Sequence, residues 1–111
     1  MDGFHDIAGV ADLPAGRVTT RVVGDRRIAL AHTVDGFFAL DNTCPHRGGP
    51  LGEGDLIGSE VVCPWHLWGF DLATGVCAGN PEITVVKHEV RVEGNRVLVK
   101  LAPRAVVEEL L

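Results

Sequence analysis

Apolar and polar positions alternate with period two near both ends of the chain, and no stretch sustains the 3.6-residue period of an amphipathic helix. Phe4 to Ala8 reads as a first strand, followed by a turn over Asp12-Leu13-Pro14-Ala15-Gly16. Arg17 to Val23 is rich in β-branched residues and stops at Gly24-Asp25, a two-residue hairpin signal. Arg27 to Thr33 supplies its partner, Asp35-Gly36 a second tight turn, and Phe37 to Leu40 a third strand. Together they predict an antiparallel meander.

From Asp41 to about Pro81 the pattern breaks. Gly48, Gly49, Pro50, Gly52, Gly54 and Gly58 crowd the first part, and only Leu56-Ile57 and Glu60-Val61-Val62 read as strand fragments there. Trp68 to Leu72 is a further short strand, and Ala73-Thr74-Gly75 turns into Val76-Cys77. After Pro81 alternation returns. Val85, Lys87, Glu89, Arg91 and Glu93 interleave with Val86, His88, Val90 and Val92, so His88 falls on the apolar face. A turn at Glu93-Gly94-Asn95-Arg96 leads into a strand over Val97 to Leu101, which Pro103 ends. Ala105 to Leu111 is read as a short helix or a frayed end. The predicted class is all-β: one domain over 1–111, with an antiparallel β-sandwich or barrel base from about 1–41 and 82–111 and an inserted, loop-rich subdomain over about 42–81.

Composition narrows the function. The 111 residues are 46% apolar with a net charge of −5, which fits a globular domain and argues against a nucleic-acid-binding face. No basic N-terminal region leads into an apolar run, and no apolar stretch reaches membrane-spanning length, so a soluble, cytoplasmic protein is expected. Three cysteines are an odd count that argues against a disulfide framework.

Two of those cysteines carry the chemistry. Cys44-Pro45-His46 is followed after 16 residues by Cys63-Pro64-Trp65-His66. Each pair offers one thiolate and one imidazole, whereas a structural zinc site usually draws its cysteines from one knuckle and its histidines from another. Mixed pairs suit a two-iron cluster in which one iron takes both sulfurs and the other both imidazoles. Zinc stays open on the residues alone.

Cys44-Pro45-His46-Arg47-Gly48-Gly49-Pro50-Leu51 with Cys63-Pro64-Trp65-His66 resembles the two boxes of Rieske [2Fe-2S] proteins, and the likeness extends from about Phe4 to Leu101. It implies a Rieske-like fold whose inserted subdomain binds one [2Fe-2S] cluster, with Cys44 and Cys63 on the buried iron and His46 and His66 on the outer one. Gly48, Gly49 and Gly69 are expected to let the backbone approach and supply N–H donors to sulfur. Pro50, Leu51, Trp65, Leu67 and Trp68 are expected to keep the surround dry.

Within that family the cytochrome bc type carries an extra cysteine in each box, joined as a disulfide. Those positions are Gly49 and Trp65 here. That type also directs a serine and a tyrosine hydroxyl at sulfur, but the second box here has no serine and the chain no tyrosine. Fewer hydrogen bonds to sulfur leave the reduced cluster less stabilised, so a potential toward the low end of about −150 to +300 mV is expected. His5, His32 and His88 are scattered and read as sheet or surface histidines, not as a second iron site, and Cys77 as a small buried residue. The resemblance therefore implies a Rieske-type ferredoxin without catalytic activity of its own. It would shuttle single electrons from a flavin-dependent reductase to a terminal oxygenase by transient docking. The alternative is the small subunit of an NAD(P)H-dependent nitrite reductase.

Overall fold

The computed structural model describes residues 3–45, 48–65 and 67–103. His46, Arg47, His66 and the suggested helix over Ala105–Leu111 lie outside the described residues.

Among the described residues, eleven short strands form two antiparallel sheets. The larger holds β1 (Phe4–Gly9), β2 (Arg17–Val23), β3 (Arg26–Thr33), β4 (Gly36–Asp41), β10 (Lys87–Glu93) and β11 (Arg96–Lys100), in the order β1-β11-β10-β4-β3-β2. The smaller holds β5 (Asp55–Ile57), β6 (Glu60–Val62), β7 (Gly69–Asp71), β8 (Val76–Cys77) and β9 (Asn80–Thr84), in chain order. The all-β class expected from the sequence is present, and the smaller sheet lies between β4 and β10 in the chain.

The hairpins follow from their turn residues. Gly24, with φ 63°, and Gly94, with φ 60°, each open a two-residue loop. A positive φ there matches the strand twist and is cheap only for glycine. The larger sheet curls until its two edges meet. At the bulge between Asp6 and Ala8, Ile7 has no partner on β11, and its carbonyl accepts a hydrogen bond from Arg21 Nε on β2 at 3.2 Å.

β3 separates two cores. Ile28 and Leu30 face inside the curled sheet, against Ala8, Leu13, Val23, Ala39, Val97 and Val99. Ala29 and Ala31 face the other way, with Leu40, Leu51, Val61, Phe70, Leu72, Cys77, Cys44 and Cys63. All four strand residues are buried, so β3 reads as a continuous apolar run and not as an alternation. The alanines present little bulk, which lets the smaller sheet pack closely over this face.

The junction between sheets differs from the sequence reading. Asn80–Thr84 pairs with β8 in the smaller sheet, and Val85-Val86 is not strand. Instead Val85 N–H bonds the Gly75 carbonyl at 2.8 Å, and the Val86 carbonyl accepts from Asp41 N–H at 2.8 Å. The two valines thus stitch one sheet to the other. Val92, expected on the inward face, is half exposed near the end of β10.

Candidate metal centre

Two six-residue loops of like construction stand side by side. In the first, Cys44–Gly49, the cysteine N–H bonds the Gly49 carbonyl at 2.8 Å. In the second, Cys63–Trp68, the cysteine N–H bonds the Trp68 carbonyl at 2.7 Å. Each cysteine is thereby fixed at the base of its loop, held by the same register of backbone bond.

The stems differ. The second loop simply joins β6 to β7, whose last pair is Val62 with Gly69. The first has a Thr43–Pro50 bridge above a polar joint centred on Asn42. Asn42 is buried, and its Oδ1 accepts from Gly52 N–H at 2.7 Å and from Thr20 Oγ1 at 3.1 Å. Its backbone N–H bonds the Arg27 carbonyl at 3.1 Å, and its carbonyl accepts from Leu51 N–H at 2.7 Å. Both strands of the loop's stem are thus tied through one residue to β2 and β3. A side chain on Gly52 would overlap Thr20 and Asn42, so the joint closes only around glycine.

The structure brings Cys44 and Cys63 together in the apolar core, at 1% and 0% exposure. Burial pushes the Cys63 thiol above its ordinary range. The Trp65 backbone N–H on the sulfur pulls the other way, and the neighbouring Cys44 thiol raises it further. A pair of free thiolates here would be costly. A pair neutralised by metal is not, because ligation removes the proton and shares the charge. The donor set therefore fits an iron held by two sulfurs. His46 and His66, the expected ligands of the second iron, are outside the described residues, and among the described residues no group of three or more His, Cys, Asp or Glu converges on one point.

The surround is as dry as expected on one side only. Leu51 is fully buried and Trp68 is half-buried against the cysteine core. Leu67 is 73% exposed and stands in the left-handed region at φ 60°, which costs a residue with a Cβ roughly 1–2 kcal/mol. The glycine expectations also divide. Gly48 N–H is taken by the Cys44 carbonyl at 2.7 Å, so it serves the loop and not sulfur. A Cβ on Gly69 would meet the Glu60 carboxylate, so its close approach is to β6. Gly49 does approach sulfur: a Cβ there would lie 2.6 Å from Cys63 Sγ.

The remaining histidines have structural partners or lie in solvent. His5 is exposed on β1. His32 stacks on Phe37 at 3.9 Å between ring centroids, with Nδ1 2.6 Å from the Leu13 carbonyl. His88 is buried, with Nε2 2.7 Å from Asp41 Oδ1 and Nδ1 accepting from Ala102 N–H at 2.9 Å. Cys77 is buried at 3% exposure. Asn42 escaped the sequence reading, because a polar joint between distant strands leaves no periodic trace.

Comparison with known proteins agrees with this geometry. The Rieske [2Fe-2S] domain matches residues 3–99. The ferredoxin component of the naphthalene 1,2-dioxygenase/salicylate 5-hydroxylase systems of Ralstonia sp. is 34% identical over 97 residues, covering 86% of this chain and 93% of that protein. A solved complex of reduced oxygenase and oxidised ferredoxin in carbazole 1,9a-dioxygenase superposes with a TM-score of 0.80 at 28% identity, covering 90% of this chain and 94% of the other. A structure named for an NADH-dependent nitrite reductase small subunit of Mycobacterium tuberculosis superposes at 0.82 with 24% identity, covering 90% and 96%, a likeness of fold alone. No helix among the described residues is long and apolar enough to cross a membrane.

Proposed function

The chain belongs to the Rieske [2Fe-2S] domain family, and we propose that within it this protein is the one-electron carrier of an oxygenase system, receiving electrons from a flavin-dependent reductase and delivering them to a terminal oxygenase. The bound [2Fe-2S] cluster supplies reversible uptake and release of one electron. Cys44 and Cys63 would hold one iron of that cluster, and His46 and His66 the other.

The observation that carries this reading is the pair of like loops that bury Cys44 and Cys63 against each other. The protein's own residues have three tasks. The loop bonds Cys44 N–H to Gly49 and Cys63 N–H to Trp68 keep the sulfurs in place as charge changes. Leu51, Phe70, Leu72 and Ala29 keep water from the inner side. Neither a serine in the second loop nor a tyrosine anywhere offers sulfur a hydroxyl, which favours a low potential.

The oxygenase-system reading is supported by the naphthalene dioxygenase ferredoxin relative and by the carbazole dioxygenase ferredoxin being solved with its oxygenase. A carrier that must leave one partner to reach the next suits small, transient interfaces and a place in the cytoplasm beside both. The test is reduction of the purified, oxidised protein by a flavin-dependent ferredoxin reductase with NADH, followed by re-oxidation on adding a ring-hydroxylating oxygenase. Cycling at catalytic rates supports the carrier. A protein recovered from its native cells only within a large, stable flavoprotein complex, and inert in that cycle, belongs instead with the nitrite reductase subunits.

A further inference from the structure

Gly49 and Trp65 are opposed across the two loops. The hypothetical Cβ of Gly49 would lie 3.1 Å from both Cγ and Cδ2 of Trp65, as well as 2.6 Å from Cys63 Sγ. The Gly49 backbone is therefore sandwiched against the sulfur of one residue and the indole of another, both from the second loop. Trp65 is half exposed, with Cγ and Cδ2 of its ring beside the side-chain position that Gly49 leaves empty. From the same residue, the backbone N–H lies near enough to Cys63 Sγ to favour its thiolate. The chain has no cysteine at either position, and its third cysteine, Cys77, is buried in β8, so no covalent bond can join the loop tips.

We propose that Trp65 is the clasp of the cluster-binding loops: its indole, laid on the Gly49 backbone, joins the two loops without a covalent bond and shuts water away from Cys63 Sγ. The proposal rests on the assignment of a cluster to these loops. Trp65 is a positioning residue and touches no redox partner in this role.

Three features make the indole suited to the task. It is flat, and Gly49 has no side chain to hold it off: two ring atoms, Cγ and Cδ2, stand equally close to where a Cβ would lie. The ring and Cys63 Sγ both lie against Gly49, so lifting the ring opens the space beside that sulfur. A clasp of this kind is also indifferent to thiol reductants, whereas a cystine would be cut by them.

The experiment compares Trp65→Ala, Trp65→Leu and Trp65→Phe with the wild type, each loaded with cluster. Iron and acid-labile sulfide are measured first. A wild type lacking sulfide would remove the cluster assignment itself, a failure separate from that of the clasp. With cluster present, the rate of bleaching of visible absorbance by an iron chelator is followed, with and without dithiothreitol, alongside the midpoint potential. Trp65→Ala is expected to bleach at least ten times faster than wild type, Trp65→Leu at an intermediate rate, and Trp65→Phe within threefold of wild type. Dithiothreitol should leave the wild-type rate unchanged. The potential should rise in Trp65→Ala as water reaches sulfur, and hold in Trp65→Phe. If Trp65→Ala does not take up cluster, the Phe and Leu variants carry the comparison. Equal bleaching rates and equal potentials across the loaded variants would overturn the clasp.

Discussion

Asn42 and Gly52 face each other across the base of the first loop, the Asn42 side-chain oxygen accepting the Gly52 backbone N–H at 2.7 Å. The same oxygen receives Thr20 Oγ1 from β2 at 3.1 Å. One buried acceptor thus sets the loop that carries Cys44 on the larger sheet, and the contact is made between residues that share no strand.

Removing that acceptor leaves a buried N–H without a partner. Asn42→Ala should cost about 2 kcal/mol, within the usual penalty of roughly 1–3 kcal/mol for an orphaned buried donor. The check is urea unfolding: the midpoint should fall with the slope unchanged. Thr20→Val removes one donor and leaves the Gly52 bond in place, so it should cost less than half as much. Equal costs would mean that Gly52 N–H does not depend on Asn42.

The Asp41 carboxyl links β4 to His88 on β10 and to Arg26 on β3, and both of these also bond Ala102 after β11. Burial pushes its pKa up, but the hydrogen bond from His88 Nε2 and the nearby Arg26 guanidinium outweigh burial and hold it below its ordinary value of 3.8. His88 Nε2 is 2.7 Å from its Oδ1 and Arg26 Nη2 3.3 Å. A carboxyl depressed in the folded state stabilises the fold fully above the unfolded pKa, and that contribution disappears as pH falls through the folded value. Wild-type protein should therefore lose stability relative to Asp41→Asn below about pH 4, while the difference between them stays constant above about pH 5. Parallel acid-unfolding curves at every pH would show that this carboxyl is not depressed.

Cys63 and Cys77 are both buried, yet only the first lies in one of the two facing loops proposed to hold the cluster. Cys63→Ser should abolish most of the visible absorbance and the labile sulfide. Cys77→Ser should keep both and lose about 1–2 kcal/mol of stability, because a hydroxyl replaces a small apolar group in the core. Loss of cluster in both variants to the same degree would assign Cys77 a part in the site.

What could be read from the sequence, and what could not, follows from the range of each interaction. Arg17–Val23 was legible to the residue because β-branched positions run up to Gly24-Asp25, and turn chemistry is local. That Cys44 and Cys63 come together was legible because a repeated Cys-Pro pair at the ends of two turn-rich segments is itself a sequence pattern. β9 was not: Asn80–Thr84 contains Pro81, and four of its five residues are exposed, so no alternation marks it. Val85-Val86 looked like strand for the converse reason, since two valines fit an alternation that tertiary bonds to Gly75 and Asp41 override. His88 stood out as a polar residue on an apolar face, but its partner Asp41 lies 47 positions earlier, and no local rule names it. Gly49 read as a donor near sulfur. That its missing side chain makes room for Cys63 and Trp65 became visible only with the two loops side by side.

The most direct measurement is a redox titration of the purified protein followed by EPR of the reduced form. A paramagnetic two-iron signal that appears in a single one-electron step, with a midpoint below zero and toward the −150 mV end of the range of about −150 to +300 mV, is the expected result. A protein that carries zinc, has no acid-labile sulfide and gives no signal on reduction would contradict the cluster. A midpoint well above zero would contradict the low potential argued from the absence of hydroxyl donors to sulfur.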